Sequence, residues 1–176
     1  MQPAPPELFT KVDIRVCGFD KVWAHPDSEK LYCEMVNTGL EAPIQVASGL
    51  RQFITPENMS GQVLVIVNMK PRKLAGFESQ GMVLCGSNSD HTVVELLQPT
   101  QECKIGERVF LEGAERPETW DTERIAVLNP KKKELEAVLP KLVCDEEGFA
   151  TFEGRKLTTG SGAFFRCKTL KGCSIS

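Results

Sequence analysis

Two short clusters of positively charged side chains are the residues of this sequence best suited to binding a polyanion. The first cluster directly follows an apolar run and contains Lys70, Arg72 and Lys73. The second contains Lys131, Lys132 and Lys133. Because attraction to phosphate acts within a Debye length of about 10 Å, the local density of cations matters more for binding than the total charge. The two clusters therefore predict contacts with phosphate groups.

The chain as a whole has no excess of positive charge. Its 176 residues include 21 Lys and Arg against 24 Asp and Glu, for a net charge of −3. Residues 1–115 hold ten basic and fifteen acidic side chains, and residues 116–176 hold eleven and nine. With 41% hydrophobic residues, the composition is that of an ordinary soluble protein and excludes a disordered tail or a collagen-like chain. Any phosphate binding must come from the clusters.

The lysine triplet lies where the sequence predicts the start of a helix. Asn129 is a typical N-cap, Pro130 is a favoured first helical residue, and Pro140 marks the end after an apolar stripe. Positive charge at a helix N-terminus opposes the macrodipole by about 0.3–1 kcal/mol per exposed group. This conflict favours a functional demand on the lysines. For both clusters the alternative stays open that they only keep an exposed segment in solution.

The sequence holds few groups for catalysis. His25 and His91 are the chain's two histidines, and neither stands beside a nucleophile, a metal ligand or a triad partner. His25 precedes a proline and is interpreted as a turn residue. No phosphate-binding glycine motif is present. We therefore predict no catalytic residue and no cofactor.

Seven cysteines are spread along the chain, at positions 17, 33, 85, 103, 144, 167 and 173. Their number is odd, no two form a Cys-x-x-Cys pair, and no histidine lies near them in a zinc-ligand spacing. We therefore predict neither disulfides nor a metal site. Cys17, Cys33 and Cys85 lie in apolar stretches and are interpreted as small core residues in a reducing compartment.

Short runs with β-type composition, separated by turn residues, fill the first two thirds of the chain. They lie at residues 12–23, 31–38, 44–48, 63–68, 81–87, 93–97 and 108–111. Many short strands at this spacing predict a small barrel or sandwich. Residues 113–129 are polar and are predicted to be a linker. A second unit follows, with the helix described above and strand candidates near residues 149–152, 156–157 and 164–167.

Four motifs give the chain a resemblance to a known family. Residues 68–82, NMKPRKLAGFESQGM, are similar to the signature of the endothelial-monocyte-activating-polypeptide-II-like tRNA-binding domain. Three further segments agree with that family in the right order: DIRV at 13–16, HPDSEKLY at 25–32 and VASGL at 46–50. The second unit resembles most the carboxy-terminal extension of eukaryotic tyrosyl-tRNA synthetases, with the cytokine-precursor accessory protein close behind. Ala75 stands where the family usually has arginine.

The resemblance implies a mainly β fold. A five-stranded OB-fold barrel is expected over residues 1–112, the linker over 113–129, and a small α+β subdomain over 130–176 that packs on the barrel. In the family this subdomain imitates the second subunit of bacterial dimeric relatives. A monomer with a pseudo-dimer interface is therefore expected.

An OB-fold binds nucleic acid along a positively lined groove, so the resemblance also implies site residues. The expected phosphate contacts come from both clusters, with weaker candidates at Arg51 and Lys30. Uncharged side chains expected to reach 2′-hydroxyls or backbone oxygens are Asn68, Ser48, Ser79 and Gln80. For positions 48, 79 and 80 the alternative stays open that they only build turns. For Phe77 two roles stay open, stacking on a base or packing in the core.

The chain is expected to be a non-catalytic module that binds many tRNAs with weak sequence preference and delivers them to an aminoacyl-tRNA synthetase. A synthetase of the tyrosyl type is the first candidate. One alternative is a cytokine-like fragment that is secreted and acts on a cell-surface receptor, an activity that the family assigns partly to residues 15–21. The other is a protein-interaction module of a multi-synthetase assembly. Because no signal region and no long apolar run is present, we expect a cytoplasmic protein without a membrane partner.

Overall fold

The computed structural model describes residues 2–176, and most of their regular structure is β-strand. The strands before residue 112 are β1 (Ile14–Ala24), β2 (Tyr32–Asn37), β3 (Ile44–Ser48), β4 (Gln62–Ile66), β5 (Arg72–Leu74), β6 (Phe77–Ser79), β7 (Met82–Val83), β8 (Cys85–Ser87), β9 (Val94–Leu96), β10 (Gln98–Pro99) and β11 (Phe110–Leu111). The later strands are β12 (Leu142–Cys144), β13 (Ala150–Phe152), β14 (Arg155–Thr158), β15 (Phe165–Arg166) and β16 (Ser174–Ile175). The short α-helices are α1 (Glu7–Thr10) and α2 (Glu134–Val138), and 3₁₀ turns lie at Pro56–Asn58, Pro130–Lys132 and Leu139–Lys141.

Strand β1 organises a five-stranded antiparallel sheet. Its first half, from Ile14 to Gly18, pairs with β4, and its second half, to Ala24, pairs with β2. A bulge between Phe19 and Lys21 bends the strand between these two partners. The sheet order is β3-β2-β1-β4-β7, and β3 lies against β7, so the sheet is nearly closed into the predicted barrel. The expected mainly β fold is confirmed.

Strand β4 is buried on both faces, which explains its unbroken apolar sequence. Val63 and Val65 point into the barrel interior, where they pack with Val36 of β2. Leu64 and Ile66 point outward and pack in a second core, which contains apolar side chains from the C-terminal third of the chain. The outward face of β4 therefore packs the barrel against the C-terminal unit.

A seven-stranded sheet also runs through both predicted units. Its order is β11-β14-β13-β12-β16-β8-β9, so four strands from after residue 130 lie between strands from before residue 112 and pair with them at both ends. The run predicted at 81–87 is split at Leu84, because β7 stays in the barrel sheet while β8 joins this second sheet. The chain end is built in as β16, where Ile175 pairs with Gly86 and Ser174 pairs with Val143.

Residues 113–129, predicted to be a linker, pack along the barrel as a strap. Trp120 is 4% exposed, and its indole Nε1 donates to the carbonyl oxygen of Val109 at 3.0 Å. The buried guanidinium of Arg15 donates to the carbonyl oxygen of Asp121 at 2.6 Å. The strap is therefore part of the folded body and not a free linker, although its composition is polar.

The motif at residues 13–16 explains how the strap is held. Asp13 Oδ1 lies 2.8 Å from Arg15 Nε and 3.6 Å from Arg108 Nε, and these side chains are at most 5% exposed. The guanidinium of Arg108 lies 3.7 Å from the ring centre of Trp120. One carboxylate thus faces two buried cations, and burial lowers the pKa of Arg108. The motif at residues 13–16 therefore has a structural role.

The helix predicted after residue 129 begins later than expected. Asn129 Oδ1 accepts from the Lys131 amide at 3.0 Å, which confirms its capping role. Asn129 caps only a 3₁₀ turn, because the backbone of Lys133 is left-handed with φ 53°. The helix α2 begins after it, at Glu134. Lys133 is the N-cap of α2, so the lysine triplet precedes the α-helix instead of forming its first turn. The positive charge still stands at the N-terminus of α2, where Glu134 and Glu136 lie in the first turn.

All seven cysteines are buried and free, which confirms the prediction that Cys17, Cys33 and Cys85 are core residues. The ring of Tyr32 is buried as well, and its hydroxyl donates to the carbonyl oxygen of Ile54 at 2.6 Å. Within residues 2–176, no helix has the length and apolar character needed to cross a bilayer.

Candidate nucleic-acid interface

The first basic cluster lies on a hairpin, where the sequence predicted only a turn. Strands β5 and β6 pair Arg72 with Ser79 and Lys73 with Glu78. Ala75 and Gly76 connect them with φ of 49° and 81°, the two positive values that a tight type I′ hairpin turn requires. The ladder was missed because each strand has only three residues and polar side chains dominate.

The hairpin divides the cluster between its two faces. Successive residues of a strand point to opposite sides, so Arg72 points toward the barrel while Lys73 points away from it. Accordingly, Lys70 and Arg72 line clefts of the surface, whereas Lys73 lines neither of them. All three side chains are exposed, and within residues 2–176 none of them takes part in an ion pair. Their charges are available to a ligand.

The polar residues after the hairpin hold it against β3. Ser79 Oγ accepts from the Ala47 amide at 3.0 Å and donates to the Gly81 carbonyl oxygen at 3.1 Å. Gln80 Oε1 accepts from the Gln45 amide at 2.9 Å. These bonds support the structural alternative for Ser79 and Gln80. Ser79 is only 4% exposed, and its contact with RNA stays a prediction.

Asn68 is also a structural residue. It is 5% exposed. Its Oδ1 accepts from the Asp13 amide at 2.9 Å, and its Nδ2 donates to the carbonyl oxygens of Lys11 and Ala126 at 2.9 and 3.0 Å. Both amide protons of Asn68 are therefore used within the fold, which supports a structural role, and its contact with RNA stays a prediction. The structural role depends on a long-range contact, since Ala126 lies 58 residues away in sequence.

A barrel cleft of about 240 Å³ opens between the hairpin and the end of β3. Ser48 and Gly49 line one side of it, and Lys70 and Arg72 line the other. The Ser48 hydroxyl donates to Glu34 Oε2 at 2.7 Å, which leaves its oxygen lone pairs as acceptors toward the cleft. This cleft combines two cations with exposed backbone, as an OB-fold groove requires.

Beneath this cleft lies an unusual carboxyl group. Glu34 is fully buried, and its Oε1 has no hydrogen-bond partner within the described chain. Burial raises the pKa of Glu34 to about 8, although the bond from Ser48 opposes the shift. Because the carboxyl group is then neutral at pH 7, it does not weaken the attraction of the neighbouring cations for an anion.

A second cleft, the strap cleft, of about 390 Å³, lies on the other side of Lys70 and Arg72. Its far wall contains Leu128, Asn129 and Pro130, immediately before the exposed lysine triplet. The wall is fixed because the Leu128 amide donates to the Asn68 carbonyl oxygen at 2.8 Å. The residues directly before the lysine triplet therefore lie across the strap cleft from Lys70 and Arg72, although about 60 residues separate the two basic clusters in sequence.

The weaker candidates lie beyond the barrel cleft. Arg51 is half-buried, and its Nη1 donates to the Ser28 carbonyl oxygen at 2.8 Å. Its amide donates to the Lys30 carbonyl oxygen at 3.3 Å. Arg51 thus stabilises the turn at residues 25–31, while the ammonium group of Lys30 is exposed. Contact of either residue with RNA stays a prediction.

An aromatic cluster sits beside the hairpin and was missed from the sequence. The half-buried rings of Trp23 and Phe77 meet edge to face with centroids 5.9 Å apart, and His25 lies 6.3 Å from Phe77. Lys21 Nζ is 5.0 Å from the Trp23 ring centre. The cluster fixes the hairpin through Phe77, and stacking of Phe77 on a base stays a prediction. Residues from β1 and β6 meet here only after folding, so local patterns gave no signal.

The histidines occupy turns. His25 Nδ1 accepts from the Asp27 amide at 2.9 Å, which confirms its interpretation as a turn residue. His91 is exposed in a left-handed conformation with φ 55° and lies edge-on to Phe53. It lines the barrel cleft opposite the basic hairpin. Neither histidine hydrogen-bonds to a side chain that could act as a nucleophile.

One cluster of potential metal ligands also emerged that the sequence did not predict. The thiol sulfurs of Cys144, Cys167 and Cys173 lie within 4.8 Å of one another. Their sequence spacings resemble no common zinc motif, and two of them precede or end short strands that only the fold brings together. The prediction of no metal site rested on spacing alone.

Comparisons with known proteins agree with the resemblance noted from the motifs. Residues 14–108 match the family model described as "Putative tRNA binding domain". The chain is 41% identical over 169 residues to the cytoplasmic tyrosine–tRNA ligase of Gallus gallus, covering 95% of this chain and 31% of the ligase. It is 37% identical over 139 residues to the tRNA-aminoacylation cofactor arc1 of Schizosaccharomyces pombe, covering 77% of this chain and 30% of arc1. The chain thus spans about a third of the length of these curated relatives.

Solved structures support both parts of the fold. The C-terminal domain of Plasmodium vivax p43 superposes with a TM-score of 0.81 and 30% identity, covering 96% of this chain and 98% of that domain. The MetRS related protein from Pyrococcus horikoshii has a TM-score of 0.55 and 28% identity, covering 61% of this chain and 98% of that protein. The first similarity includes the C-terminal unit, and the second does not extend over the whole chain.

Proposed function

Because this chain belongs to the tRNA-binding domain family, whose model it matches over residues 14–108, we propose that it binds tRNA through the face on which its two basic clusters meet. The observation that carries the proposal is the pair of clefts on either side of Lys70 and Arg72. One cleft leads onto the barrel, and the other leads to the lysine triplet. A phosphate backbone crossing this ridge would meet five cations.

The binding has weak sequence preference. Exposed lysines and arginines neutralise phosphates without reading bases. Of the uncharged side chains expected to reach the RNA, Asn68 and Ser79 are committed to the fold, and among the described residues no Phe, Tyr or Trp lines the barrel cleft. The contacts that remain are electrostatic and to the backbone. Affinity for different tRNAs should therefore be similar and should fall steeply with salt.

The domain has no catalysis of its own and delivers tRNA to an aminoacyl-tRNA synthetase. The relatives named above are ligases of which this chain matches only about a third, and a cofactor of aminoacylation. Tethering a tRNA-binding module to a catalytic domain raises the local tRNA concentration at that domain. A tyrosyl-type synthetase in the cytoplasm is the first candidate, because the match to the Gallus gallus enzyme covers 95% of this chain.

Burial favours this function over the cytokine alternative. That activity was expected partly from residues 15–21. In the folded domain Arg15, Val16 and Cys17 are at most 1% exposed, whereas Asp20 and Lys21 are exposed. A receptor would reach the first three residues only after unfolding of β1. The basic face, by contrast, is exposed in the folded state. We also propose that the domain acts as a monomer, because the C-terminal unit already covers the outer face of β1 and β4.

The test is filter binding of unfractionated tRNA to three variants at 50 and 200 mM salt. One variant replaces Lys70 and Arg72 by alanine, the second replaces the lysine triplet, and the third combines both changes. A matched control replaces three exposed cations elsewhere, Lys104, Arg155 and Lys171. Both cluster variants should bind more weakly than wild type, the combination should be weakest, and the control should bind like wild type.

Two results would contradict the proposal. If the control weakens binding as much as the lysine-triplet variant, total charge and not the shared face governs affinity. If only one cluster affects binding, the two clusters do not form one site.

A further inference from the structure

Three buried thiols from three separate segments converge at one point of the fold. Cys144 ends β12, Cys167 follows β15, and Cys173 precedes β16. The Sγ atoms of Cys144 and Cys167 lie 3.7 Å apart, and those of Cys167 and Cys173 lie 4.0 Å apart. Each residue is at most 6% exposed, and none is in a disulfide. The cluster plays no part in the tRNA-binding face proposed above.

The separations fit sulfur ligands around a single ion. With metal–sulfur bonds of about 2.3 Å, tetrahedral angles place sulfur atoms about 3.8 Å apart, and trigonal angles place them about 4.0 Å apart. Two of the three separations, 3.7 and 4.0 Å, match these values, and the third, between Cys144 and Cys173, is at most 4.8 Å. An ion between the thiols would therefore need little rearrangement of the backbone.

Gly86 of β8 closes the cluster from the barrel side. A Cβ atom at this position would lie 2.9 Å from Cys173 Sγ, 3.6 Å from Cys144 Sγ and closest of all to Cys167 Sγ. All three sulfurs thus face the same point of backbone, and only glycine leaves room for them. The cluster lies where β8 of the barrel unit meets β16 at the chain end, so a bound ion would tie the two units together.

Cysteine binds a metal ion as the thiolate, and metal binding releases the thiol protons. Buried thiolates are costly without a cation, and a metal ion between the three sulfurs would supply that positive charge.

We propose that Cys144, Cys167 and Cys173 form a buried three-sulfur site for a soft, thiophilic metal ion. Thiolate ligands select Cu(I) and Zn(II) among the common ions. Structural zinc sites have four ligands as a rule, and within residues 2–176 the group contains no fourth cysteine, histidine or carboxylate. Three sulfurs without a fourth protein ligand favour Cu(I), while Zn(II) would bind with an external fourth ligand.

The experiment titrates the whole chain, reduced and free of oxygen, with Cu(I) or Zn(II) in competition with a chromophoric chelator. We expect one ion per chain and sulfur-to-metal charge-transfer absorption. Cys167→Ser should weaken binding at least tenfold, whereas Cys103→Ser, a matched change of a buried cysteine outside the cluster, should bind like wild type. At a free-ion concentration 100 times the dissociation constant, Tm should rise by about 5–10 °C.

X-ray absorption of the loaded wild-type chain keeps the proposal testable if a serine variant does not fold. Three sulfur neighbours at about 2.2–2.3 Å would support it for either ion, and the ion that binds more tightly identifies the metal. Nitrogen and oxygen neighbours alone, or no ion retained against the chelator, would overturn it. Equal binding by wild type and Cys167→Ser would overturn it as well. None of the three cysteines lines either cleft of the basic face, so metal binding and tRNA binding are measured independently.

Discussion

The two faces of the basic hairpin should differ in their effect on tRNA binding. Lys70 and Arg72 line both clefts, whereas Lys73 projects from the opposite side of β5 and stands beside Glu78. We therefore expect the double variant Lys70→Ala/Arg72→Ala to lose two phosphate contacts. The single variant Lys73→Ala should lose no close phosphate contact. Inspection of the sequence alone would give the three cations equal weight.

The magnitude follows from counterion release. Each lost phosphate contact lowers the slope of log K against log salt by about 0.7–0.9, so the double variant should lose about 1.4–1.8 of slope. Between 50 and 200 mM salt, a fourfold range, that slope change corresponds to about 7- to 12-fold in affinity. Between 50 and 200 mM salt, the affinity of the wild type should therefore fall by a factor about 7 to 12 times larger than the affinity of the double variant. Lys73→Ala should follow the wild-type line closely.

Fluorescence anisotropy with labelled tRNA at five salt concentrations measures these slopes. Circular dichroism of each variant checks that the fold is intact, and the Lys104→Ala variant controls for the loss of an exposed charge. Parallel lines for the double variant and wild type would refute the assignment of Lys70 and Arg72 to phosphate contacts. A slope change for Lys73→Ala as large as half that of the double variant would refute the division between the hairpin faces.

Three further predictions concern the fold. Asp13→Asn leaves Arg15 and Arg108 buried without their carboxylate, so the free energy of unfolding in urea should fall by about 3–5 kcal/mol. Burial raises the pKa of Glu34 to about 8, so the native state keeps a proton that the unfolded chain releases. The stability of the wild type relative to Glu34→Gln should therefore fall by up to about 1.4 kcal/mol per pH unit as pH rises from 4.3 to 8, and then level off. Ala75→Asn suits the positive φ of the hairpin turn and should raise stability by about 0.5–1 kcal/mol in thermal unfolding.

Each of these predictions can fail clearly. A loss below 1 kcal/mol for Asp13→Asn would mean that backbone carbonyls alone compensate the two guanidinium groups. A constant stability difference between wild type and Glu34→Gln from pH 5 to 9 would mean that Glu34 is ionised in the native state. Lower stability of Ala75→Asn would mean that the turn differs from the type I′ geometry.

The barrel could be predicted because its strands carry local signals. The strand β3 was predicted at its observed bounds, and β1, β2 and β4 within two residues at each end. Branched and apolar residues dominate these strands, and turn residues separate them. The same rule failed for β5 and β6, because a hairpin of three-residue strands with polar side chains gives no periodic pattern.

The strap and the site depend on contacts that no local pattern contains. Residues 113–129 are polar in composition, yet Trp120 is buried against Arg108, and Arg15 holds the backbone from the other side. Similarly, Asn68 looked like a surface residue next to a basic loop, but it bonds to the strap 58 residues later. The meeting of the two basic clusters and of the three cysteines has the same origin. The resemblance to a known family indicated the function, while the three-dimensional packing decided which residues are free to perform it.

The most direct test of the tRNA-binding face is an amide chemical-shift titration of the isotope-labelled chain with unlabelled tRNA. Shifts and line broadening should concentrate at residues 69–74 and 128–133 and at the Ser48 end of β3, and they should reverse when salt is raised to 200 mM. Amides near Lys104 and Arg155 should not change. Shifts confined to these latter regions, with the hairpin and the lysine triplet unaffected, would show that tRNA binds elsewhere or not at all.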